Sequence, residues 1–146
     1  MQSTTNQSAP IFKQQQQRIE GGAATGGVRL LQRVEGASVL AAALFAYSQI
    51  GPDWSTFAWC FLAPDLAFLA YLGGSSIGAL AYNATHSYVG AVLVLSIGVS
   101  QSSPLLTAAS LIWFAHIGMD RALGYGLKYF AGFGFTHLGR IGKVTV

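Results

Sequence analysis

Trp113-Phe114-Ala115-His116-Ile117-Gly118-Met119-Asp120-Arg121 sets three ionisable side chains into a segment otherwise apolar enough to lie in a lipid bilayer. On a helix, residues four apart stand one above the other, so His116 and Asp120 project from the same face. The flanks support that helix. Ser103 stands where an N-cap is needed, Pro104 occupies the first helical position, the apolar run continues from Leu105 to Leu123, and Gly124 closes it.

Three further apolar stretches of similar length precede it: Val28 to Ile50, stopped by Gly51-Pro52; Trp54 to Leu72, opened by Asp53 as N-cap and broken by Gly73-Gly74; and Ser75 or Ser76 to Val99, ended by the polar run Ser100-Gln101-Ser102-Ser103. Each approaches the roughly 20 residues that cross a ~30 Å hydrocarbon core. The connections are so short that consecutive helices must be antiparallel neighbours. The expected fold is therefore an all-α membrane protein, an up-down bundle of four transmembrane helices over 28–123. A polar, low-complexity leader over 1–27, expected to be disordered, precedes it, and an aromatic, basic segment over 124–146 follows. That last segment, glycine-rich and irregular, is expected to lie at headgroup level and fold back under the bundle.

Composition agrees. Of 146 residues 52% are hydrophobic and 9% charged, with mean hydropathy +0.46, which no ordinary soluble domain shows. The net charge of +3 does not point to nucleic acid, because the basic residues gather at the two ends of the chain. Lys13, Arg18, Arg29 and Arg33 precede the first stretch, and Arg121, Lys128, Arg140 and Lys143 flank or follow the fourth. Both termini are thus expected to be cytoplasmic, in an inner or plasma membrane. The single cysteine, Cys60, permits neither an intrachain disulfide nor a cysteine-based zinc cluster.

Depth then sorts the ionisable groups. At 1.5 Å per residue, Glu35, Asp65 and His116 each fall roughly 10 Å from the cytoplasmic end of their stretch, Asn83 about 11 Å, His86 about 15 Å and Asp120 nearer 5 Å. All lie in the cytoplasmic half. Each buried charge costs on the order of 2.5 to 3.5 kcal/mol, and a chain with five acidic residues does not set three of them there without a use or a strong partner. Histidines and carboxylates without a useful cysteine suit a borderline or hard divalent metal such as zinc, manganese or iron, and helical bundles assemble such sites from facing helices. The expected metal ligands are Asp65, His86, His116, Asp120 and, if the tail closes the mouth, His137.

At these residues the chain resembles a known family. Leu62-Ala63-Pro64-Asp65, Tyr82-Asn83-Ala84-Thr85-His86-Ser87, the run Trp113 through Lys128 and Thr136-His137-Leu138-Gly139 together are similar to the small integral membrane proteins of domain-of-unknown-function family 4260. The resemblance covers about Arg29 to Gly139 and implies a compact multi-span protein with no assigned activity. A shorter similarity, confined to Thr85-His86-Ser87 with a downstream His and Asp, is to membrane-bound metal-dependent hydrolases and carries no residue roles.

Two functions from different classes follow. One is a metal-dependent hydrolase acting on a lipid or amphiphile at the cytoplasmic leaflet, with Glu35 and Asp120 moving protons and Asn83, Arg121 and Lys128 holding the substrate. The other is non-enzymatic: a metal- or proton-binding transport subunit, which would need a homo-oligomer to enclose a route, or an assembly protein whose buried charges fix helix register.

Overall fold

The computed structural model describes residues 22–142, and most of them are helical. The expectations placed on the leader up to residue 21, on Lys13, Arg18 and Lys143 lie outside those residues.

Helix α1 spans Gly26–Ile50 and ends where Gly51 and Pro52 stop it. Helix α2, Trp54–Phe61, is opened by Asp53, whose carboxylate accepts from the Thr56 amide at 2.8 Å. A 3-10 helix over Ala63–Gly73 continues it. Then come α3, Ser75–His86, and α4, Tyr88–Ser100. Helix α5, Pro104–Leu123, has the expected Ser103 cap, Pro104 at its start and Gly124 in the left-handed region, φ +94°, at its end.

The second and third apolar stretches are therefore not single α-helices; each is broken at its middle. Pro64 has no N–H to donate and its ring crowds the preceding turn, so α2 gives way to the tighter 3-10 winding. Between α3 and α4 the chain is extended at Ser87, φ −95° and ψ 147°. A broken helix leaves carbonyls without partners. Here side chains supply them: Thr85 Oγ1 lies 3.2 Å from the Pro64 carbonyl, Trp113 Nε1 donates to the Thr85 carbonyl, and Arg121 donates to the His86 carbonyl at 2.8 Å.

Helix α5 is the hub. It runs antiparallel to α1 along one side, with Gly118 against Gly36 and Ile112 and Leu111 against Tyr47, and to α4 along another, with Trp113 on Gly90 and Thr107 on Gly98. The 3-10 helix pairs with α3, Tyr71 over Gly78 and Phe68 stacked on Tyr82. The crossing of α1 and α5 is a backbone-to-backbone approach: a Cβ on Gly118 would stand 2.7 Å from the Leu40 nitrogen and 2.8 Å from the Gly36 carbonyl oxygen. Only glycine fits there.

Polar and apolar groups are distributed inside out. His86, His116 and Ser110 are fully buried and Asp120, Arg121 and Lys128 nearly so, while Trp59 is 86% exposed, Leu72 90% and Phe45 70%. The tail folds back on the helices through a two-stranded hairpin, β1 Phe135–Thr136 and β2 Gly139–Arg140, and is tied to the start of α1 by the Ala24 amide donating to the His137 carbonyl at 2.8 Å.

The α2 cap carries a prediction. Hydrogen bonds from the Ser55 hydroxyl, then from the Thr56 amide and hydroxyl, hold the Asp53 carboxyl at about 2. A carboxyl held below its ordinary value keeps its contribution through mild acid and loses it only as pH falls through about 2. In Asp53→Ala the Thr56 amide loses its hydrogen-exchange protection at neutral pH. In the native chain that protection persists at pH 4.

Candidate metal centre

Both breaks in the helices open onto the same point. Asp65 opens the 3-10 helix directly after Pro64, and His86 is the last residue of α3. His116 comes from the middle of α5, whose buried face also carries Asp120 one turn on.

The hydrogen bonds of His86 orient its ring. Its Nδ1 lies 3.0 Å from the Tyr82 carbonyl oxygen and 2.9 Å from the Thr85 hydroxyl, and a proton held there on the carbonyl leaves the Nε2 lone pair facing the centre. A histidine that donates from one nitrogen to a backbone carbonyl and offers the other is the usual form of a metal ligand. Tyr82 secures this ring twice, because its own ring stacks on His86 at 3.7 Å and 11°.

Around that lone pair the other donor atoms are close. His116 Nε2 is 3.1 Å from His86 Nε2, Asp65 Oδ1 is 3.3 Å from His86 Nε2, and Asp65 Oδ1 is 3.5 Å from His116 Nε2. A tetrahedral ion with bonds of about 2.0–2.1 Å sets its ligand atoms about 3.3–3.4 Å apart. The three separations bracket that edge, and Asp65, His86 and His116 could hold a metal ion. Asp120 Oδ2 stands 3.6 Å from His86 Nε2 and accepts from the Tyr82 hydroxyl at 2.9 Å, next in line for a fourth position. His116 Nδ1 is buried with no hydrogen-bond partner, and Phe61 meets its ring edge-on at 5.4 Å.

Of the expected ligands, Asp65, His86, His116 and Asp120 thus converge. His137 is placed elsewhere: its Nδ1 accepts from the Leu127 amide at 2.8 Å, and burial followed by the charge of Arg121 lowers its pKa. It shares a separate cavity of about 290 Å³ with Glu35, Arg121 and Tyr88, which also takes Glu35 away from the centre.

The expected substrate-holding groups are largely occupied within the fold. The Asn83 amide is used at both ends on the Lys128 backbone, donating to its carbonyl at 2.8 Å and accepting from its N–H at 2.7 Å. The Arg121 guanidinium donates to the carbonyls of Tyr125 and His86. Lys128 is the exception. Its Nζ donates to the Phe133 carbonyl at 3.0 Å and lies 3.9 Å over the Phe133 ring. Yet the residue also lines a chamber of about 370 Å³ shared with Asp65, Asp120, Tyr82 and Phe68. Burial lowers its pKa.

Three working residues had no role assigned from the sequence: Tyr82, Thr85 and Trp113. Tyr82 could have been found, since it lies one helical turn before His86 and so on its face. Nothing in the sequence marks the bond from Trp113 to a carbonyl 28 residues away. Gly74-Ser75-Ser76-Ile77-Gly78 has the spacing of a nucleophile elbow, but Ser76 sits exposed in the first turn of α3, and among the described residues no histidine or carboxylate bonds to it.

A family model described as a domain of unknown function, DUF4260, matches residues 29–141. No curated protein and no solved structure matches the chain.

Proposed function

The chain belongs to the DUF4260 family, and from its buried centre we propose a divalent-metal-dependent hydrolase acting on a lipid or amphiphile from within the membrane. The observation that carries this reading is the set of three donor atoms at tetrahedral spacing around a histidine whose lone pair is aimed inward. Two histidines with carboxylates suit zinc, manganese or iron. Such an ion lowers the pKa of a bound water towards neutrality. With an ion held there, its water would bond to the acyl carbon or phosphorus of an ester, and Asp120 would take the water's proton and return it to the leaving oxygen as the ester bond breaks. Asp120 is better placed for this than Glu35, because the Tyr82 hydroxyl holds its carboxylate beside His86.

Membrane insertion belongs to the same reading. Trp54–Gly73 and Ser75–Ser100 are long and apolar enough to cross a bilayer, and the outward-turned Trp59, Leu72 and Phe45 suit lipid. With 25 and 20 residues, α1 and α5 reach about 37 and 30 Å, long enough to complete four spans, and the basic residues towards the two ends of the chain favour cytoplasmic termini on this reading. The transport alternative gains nothing from the outer half, where the groove beside the centre is almost wholly apolar and offers an ion no path.

The test is lipid chemistry. Zinc-loaded protein reconstituted into vesicles of phosphatidylglycerol and phosphatidylethanolamine should generate lipid fragments visible by mass spectrometry. Chelation should stop it, and Asp120→Asn should stop it while zinc stays bound through the other three donors. Identical lipid spectra from loaded and stripped protein would remove the hydrolase reading.

A further inference from the structure

Two cavities meet the metal centre from opposite sides, and their linings differ in kind. The first is the chamber of about 370 Å³ with Asp65, Asp120 and Lys128 among aromatic walls. The second, of about 380 Å³, is a groove between α2 and α5 lined by Thr56, Cys60, Ala108, Ala109, Ile112 and Trp113. It runs along α5 from Leu105 to Trp113, about 12 Å at 1.5 Å per residue. Its inner end is built by Pro64 and Thr85, the residues immediately before Asp65 and His86. Pro64 of the groove is followed directly by Asp65 of the chamber, and Thr85 of the groove by the ligand His86, so the two cavities approach the centre within one residue of each other along the chain.

Charge decides what suits the chamber. Two carboxylates against one ammonium leave it negative, and a bound divalent ion reverses that sign. The aromatic faces that could take a cationic head already hold Lys128, 3.9 Å from the Phe133 ring and 5.0 Å from that of Tyr82. With the metal bound the chamber is an anion site, and the groove beyond the centre has almost nothing for a polar group to bind.

We propose that the substrate is an amphiphile with a single anionic head, lying across the centre with its head beside Lys128 and its hydrocarbon chain in the groove between α2 and α5. This rests on the hydrolase reading for the placing of the labile bond, at the junction of head and chain. Cys60, exposed in the groove and the sole cysteine of the chain, reports occupancy without any turnover.

In zinc-loaded protein held in lipid nanodiscs, dodecyl phosphate at about ten times its dissociation constant should slow alkylation of Cys60 by a membrane-permeant maleimide about tenfold, since only the free fraction reacts. Inorganic phosphate and dodecyltrimethylammonium at the same concentration should not, and stripping the zinc should abolish the protection. Ala109 faces the groove from an exposed position, so Ala109→Trp should fill it. That variant should retain zinc and lose the dodecyl phosphate that native mass spectrometry finds on the wild-type chain. Unslowed alkylation, equal slowing by both amphiphiles, or retention of dodecyl phosphate by the tryptophan variant overturns the proposal. Protection of Cys60 without any lipid cleavage supports the bound pose and counts against the hydrolase reading alone.

Discussion

Purified His86→Ala and His116→Ala proteins should bind zinc more than ~100-fold more weakly than wild type, and the double variant should hold negligible metal. The scale follows from what each change removes. Losing an outer partner of a metal ligand costs about 10–100-fold in affinity, and these substitutions delete the ligands themselves. Two further variants bracket the result. Tyr82→Phe keeps the ring stacked on His86 and the backbone carbonyl beside its Nδ1, losing only the hydroxyl on Asp120, which is not one of the three donors, so zinc affinity should stay close to that of wild type. His137→Ala should leave affinity unchanged, because that ring is bonded to the Leu127 amide away from the centre. Metal analysis with isothermal titration reads all five. Equal, negligible zinc in wild type and the double variant would end the metal assignment.

Gly118→Val should be strongly destabilising. Its Cβ alone would fall 2.7 Å from the Leu40 nitrogen and 2.8 Å from the Gly36 oxygen, both backbone atoms that no rotamer change can move. The α1–α5 crossing must open, at a cost of about 3 kcal/mol or more. For a chain of this size that lowers the midpoint of thermal unfolding by ~10 °C or more. Gly27→Ala, on the same α1 but with nothing within 4 Å of the added carbon, should leave the midpoint where it is. Circular dichroism in detergent distinguishes them, and an unshifted Gly118→Val would show that the crossing is not closely packed.

What could be read in the sequence was local. Asp53, Ser103 with Pro104, and Gly124 each act on backbone groups within a few residues, and each ends or begins a helix where its chemistry says it should. His86, His116 and Asp120 could be brought together by counting depth at 1.5 Å per residue, while for Asp65, in the 3-10 helix with its rise of about 2 Å, the same count falls a few ångströms short. The breaks at Pro64 and Ser87 could not be seen in full, since a broken helix survives only if distant groups satisfy its carbonyls, and Trp113 and Arg121 do so from 28 and 35 residues away. The same remoteness hid the use of Asn83 and Arg121. Both have the chemistry of substrate-holding groups, and both are spent on backbone carbonyls whose position depends on the finished fold. His137 went astray for a related reason: the hairpin that carries it turns its ring towards Leu127, and nothing in Thr136-His137-Leu138 specifies that direction.

The guanidinium of Arg121 grips the last carbonyl of α3 with one nitrogen and the carbonyl of Tyr125, just past α5, with another. That single planar group rivets the floor of the centre to its doorway. A displacement of the segment leaving α5 would therefore pull on the backbone of His86 through this one side chain.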